Sequence, residues 1–229
     1  MKKEIFHDIC SQVFSFLENN EQLTIYLEGE NSQYFRFNDS KLRQSGIIED
    51  YAVTISLFSG KKSLQSATTV SSDIESSVIN LKNEIQALRD PLSLIPENEF
   101  TSFPDNFESI EMIKSGKLPD RNEILEALMD VITRDYLTGV WTSGKIFRAC
   151  STSEGTNHWF EKDSFIFDFS LIDEKENMVK VLFPGNDWDK DRFTAAFQEA
   201  SSKLKLMNCL LYTSPSPRDR TRSRMPSSA

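Results

Sequence analysis

The sequence predicts an α+β fold in which antiparallel hairpins carry packed helices. Apolar and polar residues alternate with a period of two, as in half-buried strands, at 23–27, 51–57 and 165–171. Apolar residues recur at helical spacing at 5–17, 74–88 and 193–204. Strands and helices do not alternate regularly along the chain, so the pattern favours hairpins over parallel βαβ units.

The chain begins with a predicted helix and a predicted hairpin. An amphipathic helix is expected over residues 4–17, ending at Asn19-Asn20. The alternating residues 23–27 are followed by the turn-prone run Glu28-Gly-Glu-Asn-Ser32 and then by Tyr34–Phe37. We therefore predict a first hairpin that turns at residues 28–32.

A second hairpin and a capped helix follow. The alternation that starts at Tyr51 meets Ser59-Gly-Lys-Lys62 and resumes over Ser63–Val70, which predicts two strands joined by a tight turn. Ser72-x-x-Glu75 has the form of a capping box, in which hydroxyl and carboxylate satisfy free N–H groups at a helix start. The apolar stripe behind it predicts a helix that runs to about Arg89.

The rest of the chain divides into a connection and a second α/β block. Residues 90–119 contain four of the five prolines that precede residue 209, which predicts a long surface connection. Beyond it we predict a helix at 124–132, then a β block in which Gly139–Gly144 leads into Ile146–Ser151. A turn at 153–155, strands at 165–171 and 178–183 and a last helix at 193–204 follow. The predicted organisation is a first α/β part at 1–90, a connection at 91–119 and a second α/β part at 120–208.

The last 21 residues, Cys209–Ala229, match a translated sequencing-library adapter. Cys209–Asp219 corresponds to a transposase mosaic end running into a primer site, and Ser223–Ala229 to a flow-cell adapter. We exclude this tail from the fold, as one excludes a fusion scar. Its four arginines therefore imply no partner, and the natural chain is expected to continue beyond about Asn208.

Composition narrows the class of protein. Without the four Arg and one Asp of the tail, the 26 basic and 35 acidic residues become 22 and 34, a formal net charge of −12 on residues 1–208. Such acidity argues against a nucleic-acid partner. The two remaining cysteines, Cys10 and Cys150, are isolated, and no apolar run is long enough to span a bilayer. We expect a cytoplasmic protein that binds neither nucleic acid nor membrane.

Two local motifs resemble ligand sites and have simpler interpretations. Ser59-Gly-Lys-Lys-Ser63 lacks the first glycine of a phosphate-binding loop and lies between strands, so we predict a hairpin turn. Asp187-Trp-Asp-Lys-Asp191 begins like a calcium loop, but Arg192 and Gln198 occupy the positions that require Gly and Glu. These acids are predicted to cap the last helix.

The histidines and cysteines supply few candidates for catalysis. His7 is expected to be a solvated or packed side chain of the opening helix. His158 follows the Gly155 turn and is predicted in a loop, where it is a weak candidate for a base or a metal ligand. No nucleophile elbow and no spaced Cys–His pair is present. We therefore predict no catalytic, cofactor-binding or metal-binding residue in residues 1–208.

The order of elements resembles a known family. Tyr34–Ser45, the hairpin around Gly60 and the helix at 72–89 are similar to the N-terminal domain of the TldD/PmbA metallopeptidase family. The Ser151–Gly155 turn and the Trp188–Leu206 helix resemble the second part of that domain, closer to the PmbA (TldE) branch.

The resemblance implies a protein that takes part in proteolysis of unfolded or short peptides. In the TldD branch, a His-Glu-x-x-x-His helix and a later Cys hold zinc in the C-terminal half, which this chain does not include. No catalytic residue is carried over, and we predict an inactive fragment without zinc. The full-length protein or a homologous TldD-type partner subunit would supply the metal, and homo-oligomers are an alternative.

Three hypotheses about function remain open. The first is the N-terminal part of a TldD/PmbA peptidase component that holds peptides by strand addition to a sheet edge. The second is a non-catalytic α+β binding module unrelated to peptidases. The third is an independent enzyme that uses His158 or Cys150.

Overall fold

The computed structural model describes residues 1–104, 108–131 and 136–209, which form four helices and seven strands. The helices are α1 (Lys3–Phe14), α2 (Ile74–Leu94), α3 (Arg121–Val131) and α4 (Lys190–Cys209). The strands are β1 (Glu21–Asn38), β2 (Lys41–Ser59), β3 (Lys62–Thr69), β4 (Glu111–Lys114), β5 (Tyr136–Thr152), β6 (Asn157–Ile172) and β7 (Met178–Gly185). The predicted α+β class is confirmed.

All seven strands belong to one sheet with the order β3-β2-β1-β5-β6-β4. Strand β7 also pairs with β6, so β4 and β7 share one edge of β6: β4 lies along 159–162 and β7 along 165–172. The pairing is antiparallel except between β4 and β6. Strands β1, β2, β5 and β6 have 16 to 19 residues, well above the usual five or six.

The buried apolar side chains of the long strands lie on one face of this sheet. Along β5 and β6 the buried apolar residues have odd numbers, such as Leu137, Trp141, Phe147, Trp159 and Phe167. Because side chains alternate between the two faces of a strand, these residues point to the same side. We call the opposite side of β1, β5, β6 and β7 the open face.

Two hydrophobic cores occupy the buried face, one at each end of the long strands. Core 1 joins α1 and α2 to β2 and the first half of β1, with Ile9, Leu23, Ile55 and Leu81 fully buried. Core 2 joins α3 and α4 to the other ends of β1, β5 and β6. It is rich in stacked and edge-on rings, among them Trp141, Phe167, Phe169, Phe193 and Phe197. The division at 1–90 and 120–208 stays a prediction.

The predicted first hairpin is wrong. Residues 21–38 form one strand, and Glu28–Ser32 pair with β2 on one side and β5 on the other. Gly29 is needed there because a Cβ atom would lie 2.7 Å from a ring carbon of Tyr51. The chain turns instead at Asp39 and Ser40, which both have positive φ, as two-residue hairpin turns require.

The capping box at Ser72 is also wrong, and α2 is longer than predicted. The N-cap residue is Asp73, and the buried Ser77 hydroxyl accepts a hydrogen bond from Ser71 N (3.0 Å) and donates one to Ser71 O (3.1 Å). The helix does not stop near Arg89. It continues through Pro91 to Leu94 because Leu92 extends the buried stripe into core 1.

The other predicted elements are confirmed, with shifts at their ends. The hairpin at Gly60, the predicted helix over residues 124–131, the turn at 153–155 and the strand at 178–183 are all present. Residue 132 of the predicted helix lies outside the described residues. Strand β4 lies inside the predicted connection and was not anticipated, because its four residues are exposed and show no alternation. The last helix runs on to Cys209, and the rest of the predicted adapter tail lies outside the described residues.

Candidate functional site

The open face carries a cavity of about 590 Å³ at the centre of the sheet, which we call the open-face hollow. Its floor and walls come from β1, β5, β6 and the end of β7. Its polar side chains belong to Glu30, Ser32, Thr142, Lys162, Ser164 and Asn186. Along the strands, the hollow lies between the end that carries core 1 and the end that carries core 2.

Strand register aligns the lining residues in three rows across the sheet. The first row is Glu30, Ile146 and Lys162, and the second is Ser32, Gly144 and Ser164. The third row is Thr142, Ile166 and Pro184. Residues paired in register point to the same face, so a carboxylate and an ammonium group stand at opposite ends of one row.

Gly144 forms the low point of the hollow. A Cβ atom at this position would lie 2.3 Å from the carbonyl oxygen of Asn31 and 2.4 Å from Ser32 Cα. These are backbone atoms of the adjacent strand, which cannot move aside. The close approach of β1 and β5 thus requires glycine here and leaves the centre of the second row without a side chain.

The lining groups are suited to binding rather than to bond cleavage. The Ser32 hydroxyl donates a hydrogen bond to Glu30 Oε1, and Ser32 is buried. Hydroxyl groups both donate and accept, carboxylates accept and ammonium groups donate. The hollow therefore offers mixed polar partners to an extended chain, whose backbone presents alternating N–H and C=O groups. It contains no histidine or cysteine.

The structure changes the interpretation of His158. His158 lies in strand β6, not in a loop, and is paired with Cys150 of β5. Its Nδ1 atom accepts a hydrogen bond from Ile110 N at 3.2 Å. Ile110 O in turn accepts one from Trp159 N at 2.9 Å. His158 thus fixes the segment that leads into β4.

His7 is a packed side chain of α1. The sequence alone leaves a solvated and a packed side chain as alternatives. Its Nε2 atom is buried without a hydrogen-bond partner in the described part of the chain. Burial lowers the pKa of His7, and Lys3 adds to the effect. The neutral imidazole is therefore the favoured form.

Neither cysteine is prepared to act as a nucleophile. Burial raises the pKa of the Cys10 thiol to about 12 and also raises that of Cys150. Reactive cysteines require a lowered pKa, since the thiolate is the attacking species. The hypothesis of an enzyme built on His158 or Cys150 is not tested by these values and stays a hypothesis.

The two motifs that resemble ligand loops are both structural. Gly60, with φ 59°, lies in the turn between β2 and β3. Asp189 Oδ1 accepts hydrogen bonds from Asp191 N (2.9 Å) and Arg192 N (3.1 Å) and so caps α4, as predicted. Asp187 Oδ1 accepts a hydrogen bond from Lys117 N (3.0 Å) and ties the connection to this helix.

The donor set of the described residues does not fit a zinc centre. Residues 1–104, 108–131 and 136–209 contain no group of three or more His, Cys, Asp and Glu side chains that could hold a metal ion. Structural and catalytic zinc sites need at least three such protein ligands. Within the same ranges, no helix combines the length and apolarity of a membrane span.

Solved structures share this fold. TldE from Thermococcus kodakarensis matches with a TM-score of 0.62 and 12% identity, over 88% of this chain and 47% of that chain. A candidate modulator of a DNA gyrase from Thermotoga maritima matches with a TM-score of 0.60 and 13% identity, over 86% and 48%. The fold is TldE-like.

A third match extends the comparison. A candidate modulator of DNA gyrase from Bacteroides thetaiotaomicron has a TM-score of 0.57 and 12% identity, over 88% of this chain and 49% of that one. The chain thus spans about half the length of the solved structures it matches. No protein-family model and no curated protein sequence matches it. At these identities the likeness establishes the fold alone.

The hollow was not predicted from the sequence. Its residues are 30–32, 142–146, 162–166 and 184–186, which come together only when four strands align. The one local signal is Gly144 inside a strand pattern, since glycine there often marks a close backbone approach.

Proposed function

We propose that this chain is the peptide-binding N-terminal part of a TldD/PmbA-type peptidase component. The observation that carries the proposal is the TldE-like fold over 88% of this chain and 47% of the matched one. The family resemblance implies that hydrolysis requires zinc ligands outside this part. The chain itself is then a binding part.

The open-face hollow is the proposed peptide site. A volume of about 590 Å³ lies within the range of small-ligand sites and accommodates a short peptide segment. The hydroxyls of Ser32, Thr142 and Ser164 would bond the peptide backbone, and Glu30 and Lys162 would face an amine and a carboxylate. Because these contacts do not depend on peptide side chains, they suit substrates of varied sequence.

The proposal extends to partners and compartment. Zinc would be held by the full-length protein or by a homologous TldD-type partner subunit, and peptides would be the shared substrate. The acidic composition of residues 1–208 supports a protein of the cytoplasm that does not bind nucleic acid. No residue of this chain is assigned to catalysis or to a cofactor.

A non-catalytic α+β binding module unrelated to peptidases is the second candidate. It is favoured by the absence of histidine and cysteine from the hollow. Sequencing the source gene across the Asn208 codon separates the candidates. A continuation with His-Glu-x-x-x-His and a later Cys would support a zinc peptidase, and a long continuation without them a PmbA-like partner. An immediate stop would contradict both forms and favour the module.

Peptide binding is tested with a fluorescently labelled, unstructured peptide and the 229-residue chain. With the wild type, we expect the fluorescence anisotropy of the peptide to rise on binding. With the Ser164→Trp variant we expect no rise, since the indole would fill the hollow. Ser170→Trp is the control: Ser170 lies on the same strand and face, outside the hollow. Mass spectrometry should show the peptide intact.

Four outcomes would contradict the proposal. Failure of the wild type to bind the peptide would remove the binding role, and equal binding by Ser164→Trp would move the site elsewhere. Cleavage by the chain alone, or one zinc retained per chain after dialysis, would show that it is more than a binding part.

A further inference from the structure

One edge of the sheet is left open along half of its second strand. Strand β2 runs from Lys41 to Ser59, but β3 pairs only with Ala52–Ser59. Among the described residues, the stretch from 41 to 50, which we call the β2 edge, pairs with β1 on one side and with no strand on the other. Eight of its ten residues are exposed, and Ile47 is 80% exposed.

Two other parts of the same sheet have partners on their outer side. The outer side of β6 is covered by β4 and β7. At β3, the Asn80 side chain of α2 donates hydrogen bonds to Thr69 O (3.0 Å) and Thr68 Oγ1 (2.9 Å). An unprotected edge strand is a template for pairing with another chain, so natural proteins usually blunt such edges. The β2 edge is therefore a candidate interface.

The backbone groups that face outward can be assigned. Val70 N donates a hydrogen bond to Tyr51 O (3.0 Å), so Tyr51 directs its backbone groups to the outer side of β2. Direction alternates along a strand, and the β1–β2 register is unbroken from Gln44 to Ser59. The outward N–H and C=O groups thus belong to Ser45, Ile47 and Glu49.

The charges of the β2 edge are arranged for self-pairing. Lys41 and Arg43 lie at one end and Glu49 and Asp50 at the other, with Gly46 between them. We propose that two copies of this chain pair antiparallel along residues 42–50, with the two-fold axis at Gly46. In this register the outward groups of Ser45 meet those of Ile47. Arg43 is the extra residue of a bulge in β2, and its Nε donates a hydrogen bond to Asn38 O (3.3 Å). Its other guanidinium N–H groups are left to face Glu49 of the second copy.

The same register explains the exposed isoleucine. Ile47 of each copy lies opposite Ser45 and diagonal to the other Ile47, within reach of an aliphatic side chain. Pairing would remove apolar surface from water and join the two seven-stranded sheets across the axis. The basic end of one β2 edge lies beside the acidic end of another only when two identical strands run antiparallel. The pattern therefore favours a second copy over a peptide of unrelated sequence.

The first test removes one outward hydrogen-bond donor. Ile47→Pro deletes an N–H group that faces away from β1, so the internal ladder should survive while edge pairing is blocked. Ile47→Thr is the matched control, since it keeps both the N–H group and the β-branch. By sedimentation velocity we expect the wild type and Ile47→Thr at twice the 26.3 kDa chain mass, and Ile47→Pro at 26.3 kDa.

The second test reverses charges across the axis. Arg43→Glu and Glu49→Arg should each weaken the dimer by about tenfold or more, because each places like charges opposite one another twice. The double variant restores opposite charges and should recover dimerisation. Glu49 also accepts a hydrogen bond from the Tyr51 hydroxyl (3.1 Å), so circular dichroism must show that each variant is folded.

Several results would overturn the proposal. The proposal fails if the wild type stays monomeric at high micromolar concentration. It also fails if Ile47→Pro leaves the dimer unaffected. Double charge reversal without recovery would exclude the two-fold register. A monomer whose peptide affinity falls in Ile47→Pro would make the β2 edge a peptide site. The Ser164→Trp variant should still dimerise, so this test is independent of the proposed peptide site.

Discussion

Arg89 joins three segments of core 1 through one guanidinium group. Its Nε and Nη2 atoms donate to the two carboxylate oxygens of Glu21, each at 2.9 Å, and Nη2 also donates to Phe16 O at 3.1 Å. The guanidinium carbon lies 4.7 Å from the centre of the Phe16 ring. The two charged side chains are only 12% and 10% exposed, so this is a largely buried, bidentate ion pair.

Loss of this arginine should be costly. In Arg89→Met the Glu21 carboxylate keeps its burial but loses its partner, so we expect the free energy of unfolding to fall by about 3 kcal/mol. Urea unfolding at neutral pH measures the change. Lys203→Met is the control, because it breaks the exposed Lys203–Glu199 pair and should cost less than about 0.5 kcal/mol. Equal effects would show that burial of the Arg89 pair is unimportant.

The same pair predicts how stability changes in acid. Burial alone would raise the pKa of Glu21, but the hydrogen bonds from Arg89 and from Glu18 N, together with the charge of Arg89, outweigh it and lower that pKa below its ordinary 4.5. The pair therefore stabilises the fold above the unfolded pKa and loses its effect as pH falls through the lower folded value. We expect the stability gap between wild type and Arg89→Met to narrow over this acid range. A constant gap would contradict the assignment.

Single residues also show where sequence patterns reach their limit. The cap at Asp189 follows from its position before an apolar helical stripe and could be predicted. His158 could not be placed, because its partner Ile110 lies 48 residues away and adds a parallel strand that no local periodicity announces. Gly144 shows only as a glycine in a strand, and its role depends on the backbone of Asn31 in another strand.

At the level of elements, helices were predicted better than strand ends. The stripes of α1, α2 and α4 repeat with the helical period and are visible in any window of the sequence. Strand β1 was divided in error, because Glu28–Ser32 has turn composition but is held in the sheet by partners on both sides. Tertiary pairing overrides local preference here, as is common for strands.

The start of α2 gives a direct test of the predicted capping box. The sequence pattern assigns the cap to Ser72, whereas the N-cap residue is Asp73, whose side chain makes no capping hydrogen bond. The buried hydroxyl of Ser77 instead bonds both backbone groups of Ser71 and fixes the segment before the helix. We expect Ser77→Ala to lower the free energy of unfolding by about 1–2 kcal/mol, since a buried N–H and C=O would lose their partner. Ser72→Ala, at an exposed position outside the helix, should change it by less than about 0.5 kcal/mol in the same urea titration. The reverse order would restore the capping box.

At the scale of the whole molecule, two cores share one set of strands. Strands β1, β5 and β6 each contribute buried residues to both: Leu23 and Phe35 from β1, Phe147 and Trp141 from β5, and Trp159 and Phe169 from β6. Between the cores these strands remain paired without interruption. Loss of either core would expose the sheet that the other core is packed on, which couples the two energetically.

This coupling predicts a single unfolding transition. Trp159 reports on core 1 and Trp141 on core 2, and Trp188→Phe combined with removal of either one leaves a single fluorescent reporter. Both reporters should give the same urea midpoint.

The stronger test removes a side chain from one core and follows the reporter in the other. Leu23 is fully buried in core 1, so Leu23→Ala should cost about 2–5 kcal/mol and lower the midpoint of the Trp141 signal as much as that of Trp159. Phe169→Ala in core 2 should have the same reciprocal effect. A Trp141 midpoint that does not change in Leu23→Ala would show that the cores unfold separately, and the long shared strands would then be flexible between them rather than a rigid connection.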